Sequence, residues 1–299
     1  MKLLVIFTGG TISCTEQGGA LSPSAVQPFL LLERRPEISF DALTPFTVLS
    51  ENMSAEHWKL LYDCIRSRSN GGYDGIIVAH GTDTLAYTAA FLSFSLGLCE
   101  VPVVLVSANY PLSDSRSNGF DNFDAAVSFI ERHCGRGVFV SYRNGGDDCA
   151  VIHRGAELMP HAPYSDSVYS LFNNIYGTVK NGVFTANPDY TERFDDSLTG
   201  HMPGGAVVWL RAHVGMVYPV LSDGVKAVLL EGYHSGTLPT AGAEQKDFCR
   251  EAAEKNISVY LTGCAPGFAY ESKKEFKSLG IITLPPLSPA AAYVKLWLS

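Results

Sequence analysis

Short apolar runs alternate with segments of helical periodicity through the first half of the chain. Residues 3–7, Gly75–Ala79 and 101–106 are almost wholly apolar, which predicts strands buried on both faces of a sheet. Leu85–Leu96 and residues 118–134 predict helices, each followed by a glycine. The alternation of strand and helix indicates an α/β fold with a parallel-rich sheet and right-handed crossovers.

Polar and turn-forming residues separate these elements. Residues 13–24 follow the first strand as a polar, glycine-containing segment, which predicts a loop that could act as a lid. Residues 46–50 predict another strand, and residues 144–148 predict a tight turn. Residues 185–205 are polar and rich in proline and glycine, which is typical of an interdomain linker.

The expected organisation is therefore two domains of unequal size. The larger N-terminal domain spans 1–184 and carries the parallel-rich sheet, and the linker spans 185–205. A smaller C-terminal α/β domain spans 206–299 and includes a helix near 218–223. A chain of 299 residues is long enough for two such packed domains.

Composition and charge exclude several classes of protein. Hydrophobic residues make up 46% of the chain and charged residues 17%, as in compact globular proteins rather than disordered ones. The formal net charge is −8, and lysine and arginine form no cluster, which argues against nucleic acid as a partner. We find no apolar run of transmembrane length and no signal peptide, so no membrane association is expected.

Cysteine usage indicates a reducing compartment. The seven cysteines are scattered and form no C-x-x-C pair, which favours a cytoplasmic protein with reduced thiols and without a zinc or redox motif. We infer no metal or cofactor from the sequence. Cys14 lies three residues after Thr11 and could be a nucleophile, but its interpretation as a small filler residue is favoured.

Two glycine-containing loops carry the candidate chemistry. Residues 8–12, TGGTI, follow the first predicted strand, and residues 80–84, HGTDT, follow the strand Gly75–Ala79. Ligands of open α/β sheets bind outside the carboxyl ends of the strands, so both loops are predicted on the same rim. This placement suggests a threonine nucleophile from one loop, with a hydroxyl and a carboxylate from the other.

Each of these residues also has a purely structural interpretation. Gly9 and Gly10 could form a tight strand-to-helix turn, although no Gly-Lys-Ser/Thr follows to make a phosphate loop. Asp83 could be only the N-cap of the following helix. His80 is interpreted as a hydrogen-bonded structural residue rather than a catalytic base. The joint occurrence of the loops, rather than any one of them, favours a site.

Five segments, taken in order, resemble the bacterial-type L-asparaginase family. Residues 8–12 and 80–84 are similar to its two signature loops, and residues 49–54, LSENMS, to its substrate-clamp segment. Residues 111–119 resemble the segment that opens the next helix, and residues 287–296 resemble the C-terminal helix. The likeness spans nearly the whole chain, and it implies the two-domain asparaginase fold.

The resemblance implies hydrolysis of L-asparagine to L-aspartate and ammonia without a cofactor or metal. Thr11 would be the nucleophile that forms an acyl-enzyme, and Thr82 the second catalytic threonine, acting with Asp83. Asp83 and Glu51 would hold the α-ammonium of the amino acid, and Ser50 its α-carboxylate. The chemistry agrees, because a zwitterion needs both carboxylates and donors, and a threonine hydroxyl needs an activator. A homodimer or homotetramer is expected from the resemblance alone.

Two residues that this family usually employs are missing. Its members place a tyrosine in the loop after the nucleophile, but residues 13–24 contain none. A lysine normally works with the second threonine and the aspartate. Our alignment places Met159 at that position, and no lysine occurs between Lys59 and Lys180. Neither threonine would therefore have its usual activator.

Other side chains could replace them. Glu16 lies in the loop after Thr11, and His153, His161 and Tyr164 lie near the aligned lysine position. Their interpretation as surface polar residues on a variable segment is favoured.

Alternative functions remain open from the sequence. The chain could be a glutaminase or another amino-acid amidase, because pocket length depends on side chains that the sequence does not place. It could also be a non-catalytic relative that binds amino acids. A tRNA-dependent amidotransferase role is disfavoured, because those relatives carry an extra N-terminal domain before the first strand.

Overall fold

The computed structural model describes residues 1–24, 27–69, 71–132, 135–193, 198–264 and 270–299. These residues form two compact units, Met1–His201 and Met202–Ser299. The boundary between the two units falls within the predicted linker, residues 185–205. A strand at Val183–Ala186 crosses residue 184, where the first domain is predicted to end. The domain limits drawn from the sequence stay a prediction.

The larger unit is built on one mixed sheet. The strands of this unit are β1 (Lys2–Phe7), β2 (Cys14–Gln17), β3 (Ala20–Pro23), β4 (Ser39–Leu43), β5 (Gly75–Ala79), β6 (Val103–Val106), β7 (Val138–Tyr142), β8 (Ala150–Arg154), β9 (Gly177–Lys180) and β10 (Val183–Ala186). The main sheet has the order β10-β9-β8-β7-β6-β5-β1-β4. Strands β4, β1, β5, β6 and β7 are parallel, and β8, β9 and β10 are antiparallel. The expected α/β class with a parallel-rich sheet is confirmed.

The helices of this unit cover the sheet. They are α1 (Ala55–Arg66), α2 (Leu85–Leu96) and α3 (Gly119–Glu131), with 3-10 turns at Thr11–Ser13, Gln27–Arg34, Ser50–Asn52, Gly155–Glu157 and Leu171–Asn173. Helix α2 is apolar on all sides and is buried along its length except at Tyr87, as a helix between a sheet and other elements must be. Ser54 caps α1, its hydroxyl accepting the His57 N–H at 3.5 Å.

The register of β1 against β5 sets the position of the two candidate loops. These strands pair in parallel from Leu3 with Gly75 to Phe7 with Ala79, and their residues are buried. Both strands therefore end at the same level of the sheet. The loops that follow them begin side by side, as the sequence predicts.

Two predicted elements of this unit were wrong. Residues 46–50 form no strand. The strand that pairs with β1 at the edge of the sheet is β4, which begins at Ser39. Val48 instead makes an isolated parallel bridge to Gly9. The loop predicted at 13–24 contains the antiparallel hairpin β2–β3.

The smaller unit contains a parallel sheet with its own core. Its strands are β11 (Ala206–Arg211), β12 (Val225–Glu231), β13 (Ser258–Thr262) and β14 (Ile281–Thr283), and its helices are α4 (Ala243–Glu254), α5 (Glu271–Glu275) and α6 (Pro289–Leu298). Leu230, Phe248 and Leu261 pack in this core. The helix expected near 218–223 is wrong, because no helix is assigned to those described residues.

None of the helices in the described segments is both long and apolar enough to cross a bilayer.

Candidate active site

The first loop is tied to the end of β5 at its first residue. Thr8 is buried, and both its N–H and its hydroxyl donate to the Ala79 carbonyl, at 3.1 and 2.9 Å. The Val48 N–H donates to the Thr8 carbonyl at 3.0 Å. These bonds fix the backbone that leads into Gly9 and Gly10.

Only glycine fits at the two central positions of this loop. Gly10 has φ 76° and ψ 178°, and a Cβ there would lie 2.2 Å from the Gly81 Cα. Gly9 has φ 104°, and a Cβ there would lie 2.3 Å from the Val48 carbonyl oxygen. Both positions combine a positive φ with close backbone approach, which a side chain would prevent. The glycines therefore do more than form a turn, since they allow the loops before Thr11 and Thr82 to touch.

Ser50 joins the clamp segment to the second loop. Its side chain is buried, and its hydroxyl oxygen accepts the Asp83 N–H at 3.2 Å. Its carbonyl accepts the Thr84 hydroxyl at 2.9 Å. A Cβ on Gly81 would lie 2.5 Å from the Ser50 Oγ, so this contact also requires a glycine. Because Ser50 Oγ accepts one hydrogen bond from the backbone, its own hydroxyl hydrogen can be donated to a ligand.

The sequence-predicted site residues therefore lie on three segments that contact one another. Thr11 and Thr82 are partly exposed, each one residue after the glycine contact. Asp83 and Glu51 are exposed. This arrangement places two hydroxyls, two carboxylates and a buried serine around one rim of the sheet.

Asp83 does not serve as the cap of α2. The N-cap of that helix is Thr84, and no side chain accepts a hydrogen bond at this cap. The structural interpretation of Asp83 as an N-cap is therefore wrong. Its carboxylate stays available for a ligand.

A cavity of about 350 Å³ opens beside the second loop. The residues that line it are Thr82, Asp83, Asn109, His161, Ala162, Pro163, Tyr164, Ser165 and Asp166. Its walls are therefore rich in hydroxyl, carboxylate and imidazole groups. The predicted site residues Thr82 and Asp83 line this cavity, whereas Thr11, Ser50 and Glu51 do not.

His80 is a structural residue, in agreement with its favoured interpretation. Its ring is fully buried, and Nδ1 lies 2.8 Å from the Gly81 carbonyl oxygen. Its N–H donates to the Val106 carbonyl at 2.9 Å. Burial lowers the pKa of His80 to about 4, so the ring is neutral at physiological pH and fixes the backbone before Thr82.

Cys14 has the properties of a filler residue. Its side chain is fully buried, and its thiol donates to the Gly10 carbonyl at 3.1 Å. Burial, followed by the nearby negative charge of Glu51, raises the pKa of this thiol. A protonated, buried thiol is a poor nucleophile.

The candidate replacements for the missing lysine have different environments. His153 lies in β8 and is 1% exposed, with Nδ1 2.8 Å from the Ser170 hydroxyl; its interpretation as a surface residue is wrong. Burial lowers the pKa of His153 to about 3. Tyr164 is fully exposed and has φ 62°, a conformation that non-glycine residues rarely adopt. His161 lines the cavity beside Thr82, which sequence order could not reveal.

No group of three His, Cys, Asp or Glu side chains that could hold a metal ion occurs within the described ranges.

Comparison with known proteins shows the family to which the chain belongs. The family model "Asparaginase, N-terminal" matches residues 2–175. Curated relatives include glutamyl-tRNA(Gln) amidotransferase subunits from Metallosphaera sedula, 30% identical, and from Methanosphaera stadtmanae, 32% identical. Each alignment covers 99% of this chain and 71% of the relative. The chain belongs to the asparaginase family, which confirms the resemblance found in the sequence.

Solved structures share the fold. The thermostable L-asparaginase from Thermococcus kodakarensis superimposes with a TM-score of 0.82 at 24% identity, covering 100% of this chain and 92% of that one. A probable cytoplasmic L-asparaginase from Campylobacter jejuni gives a TM-score of 0.78 at 22% identity, covering 99% and 94%. The fold with its larger and smaller units is therefore that of L-asparaginases.

Proposed function

We propose that this protein hydrolyses the side-chain amide of L-asparagine, giving L-aspartate and ammonia, with Thr11 as the nucleophile. The observation that carries the proposal is the contact between Gly10 and Gly81. It brings the threonines of the two family loops to one rim, beside the carboxylates and the serine that suit a zwitterion.

The proposed reaction proceeds in two balanced steps. In the first, the Thr11 hydroxyl oxygen attacks the amide carbon, the C–N bond breaks, and the nitrogen takes the hydroxyl proton to leave as ammonia. In the second, water attacks the resulting ester, and the Thr11 oxygen recovers a proton as L-aspartate is released. Thr82 relays protons between the reacting groups.

Substrate orientation is assigned to the other site residues. Asp83 and Glu51 would pair with the α-ammonium, because both carboxylates are exposed on the rim. Ser50 would donate its hydroxyl hydrogen to the α-carboxylate while still accepting the Asp83 N–H. This coupling would tie the position of the substrate carboxylate to that of the second loop.

Ammonia release from L-asparagine tests the proposal. Thr11→Ala and Thr82→Ala should each abolish release while far-ultraviolet circular dichroism stays unchanged. Thr283→Ala is the matched control, because that threonine is exposed on β14 of the smaller unit. Wild-type rates in Thr11→Ala would contradict the assignment of the nucleophile.

The same assay also tests other amide substrates. L-Glutamine and D-asparagine are measured in parallel, and preferential release from either would make the protein a glutaminase or another amino-acid amidase. If no amide is hydrolysed but calorimetry detects binding of L-aspartate, the protein is a non-catalytic amino-acid-binding relative. The missing loop tyrosine and lysine motivate this arm of the test.

A second candidate function follows from the names of the curated relatives. They are glutamyl-tRNA(Gln) amidotransferase subunits and match 99% of this chain at about 30% identity. In that role, ammonia release from an amide donor would depend on a further protein component and on charged tRNA. Release from the isolated protein at full rate, unaffected by either addition, would argue against it.

Assembly and location are part of the same proposal. We expect a homodimer or homotetramer in the cytoplasm, without nucleic acid or membrane as a partner. Sedimentation equilibrium of the purified protein measures the first expectation. A monomer that is active on L-asparagine would contradict it.

A further inference from the structure

The proposed reaction requires a group that exchanges a proton with Thr82. The lysine that usually does so is replaced by Met159 in our alignment, and a methionine thioether cannot take up a proton. The Met159 N–H donates to the Tyr169 carbonyl at 2.9 Å, and its side chain is absent from the lining of the cavity. Another side chain must therefore supply the base.

His161 is placed to do this. Its imidazole lines the same cavity as Thr82 and Asp83, and no other histidine is among the described residues that line this cavity. Its Nε2 is buried and has no hydrogen-bond partner within the part of the chain that the structure describes. A buried ring nitrogen without a partner is costly unless a ligand or a neighbouring group uses it.

The surroundings of the ring hold it in the cavity wall. The Tyr142 ring packs edge-on against it, with centroids 5.6 Å apart. Tyr142 is itself buried, and burial raises its pKa to about 12, so its phenol stays neutral. The charged groups that face His161 are the carboxylates of Asp166 and Asp83, which favour a protonated ring. Burial outweighs them and lowers the pKa of His161.

We propose that His161 is the proton-accepting partner of Thr82, in the role that other family members give to a lysine. This inference rests on the proposed function. In the first step, Thr82 takes the proton that the attacking Thr11 hydroxyl loses, and neutral Nε2 of His161 takes the Thr82 hydroxyl proton. In the second step, Thr82 takes the proton that the attacking water loses, and Nε2 again takes the Thr82 hydroxyl proton. The proton returns along the same path to the leaving nitrogen, or to the Thr11 oxygen when the ester breaks, so no net proton is gained or lost.

Substitution of His161 tests the role. His161→Gln keeps the approximate size and polarity but cannot take up a proton, so kcat on L-asparagine should fall by about 10²–10⁴-fold with little change in KM. His153→Gln is the matched control, because His153 is also buried with an unpartnered Nε2 but does not line the cavity. An unchanged kcat in His161→Gln, or an equal loss in His153→Gln, would overturn the proposal.

The pH profile separates proton transfer from support of the fold. Activity of the wild type requires neutral His161 and should be lost only below about pH 6.5, because the ring has a lowered pKa. His161→Lys should recover part of the rate and move the acidic limb of the profile to higher pH, since a lysine loses its proton at higher pH. Recovery without this movement would show that the residue acts by packing alone.

A titration distinguishes this proposal from the proposed function if no amide is hydrolysed. The His161 ring is followed by ¹H–¹⁵N nuclear magnetic resonance in the wild type, Thr82→Ala and Asp83→Asn. Both substitutions should change the ring pKa, with Asp83→Asn lowering it because a negative charge is removed. Identical titrations in all three proteins would show that the ring does not sense Thr82 or Asp83 across the shared cavity, and would overturn the proposal whatever the activity.

Discussion

Gly10→Ala is the substitution that most directly tests how the two loops meet. The new methyl group would lie 2.2 Å from the Gly81 Cα, on a residue with φ 76°. A non-glycine residue at this combination of φ and ψ, which only glycine adopts readily, costs about 1–3 kcal/mol. Carbon atoms in ordinary contact are about 3.5–4.0 Å apart, so the loops must separate by more than about 1 Å. Overpacking of this kind costs about 1–3 kcal/mol more.

Gly72→Ala is a control for a side chain at positive φ without a close contact. Gly72 has φ 71°, nearly that of Gly10, but no atom lies within 4 Å of the position that a Cβ would occupy there. It lies in the same unit of the protein. We therefore expect Gly72→Ala to cost only about 1–3 kcal/mol, and Gly10→Ala about 2–6 kcal/mol.

Thermal unfolding followed by circular dichroism measures the difference. One kcal/mol shifts the Tm by about 2–4 °C in a unit of this size, so the Gly10 variant should melt several degrees below the Gly72 variant. Displacement of Thr11 by about 1 Å should also reduce kcat on L-asparagine by about 100-fold. Equal Tm values for the two variants, or wild-type kcat in Gly10→Ala, would refute the close contact.

Three further predictions concern neighbouring side chains. Ser50→Ala removes the acceptor of the Asp83 N–H and should raise KM for L-asparagine about fivefold, since one hydrogen bond contributes about 1 kcal/mol; an unchanged KM would exclude Ser50 from the substrate site. Cys14→Ala should retain most of the wild-type kcat, and a folded but inactive variant would instead make Cys14 a catalytic candidate. Burial lowers the pKa of His80 to about 4 and of His153 to about 3, so both rings are neutral in the folded state. Each ring then takes up a proton on unfolding below about pH 6.5. The free energy of unfolding should therefore decrease by about 1.4 kcal/mol per ring for each pH unit by which the pH is lowered. Urea titrations at pH 7.5 and 5.5 should show a smaller fall in His153→Gln than in the wild type, and equal falls would contradict this.

The central strands could be predicted because burial leaves a clear pattern in them. β1, β5 and β6 lie between other strands of the sheet and are apolar throughout, and α2 is buried on all sides. β4 was missed because it lies at the edge of the sheet, where its half-exposed residues mix polar and apolar types. Single-strand periodicity does not distinguish such an edge strand from a loop.

The candidate site could be predicted only in part for a related reason. Thr11 and Thr82 follow strands that pair directly, so local pattern and sheet topology together bring them close. His161 lies almost 80 residues beyond Thr82, after an antiparallel part of the sheet whose path the sequence does not specify. The segment between β8 and β9 decides which side chain faces the cavity, and its 3-10 turns and left-handed residues have no periodicity to detect.

The place of β1 in the sheet also has a consequence for the order of folding. Leu3 pairs with Gly75, 72 residues further along, so the strand before Thr11 is made well before its neighbour β5. At a synthesis rate of about 5–20 residues per second, the first strand waits roughly 4–14 s on the ribosome for that partner. Pairing over such a separation is slow compared with helix formation. Thr11, the proposed nucleophile, therefore acquires its surroundings late, and recovery of activity during refolding should follow the formation of the β1–β5 pair rather than the appearance of helix.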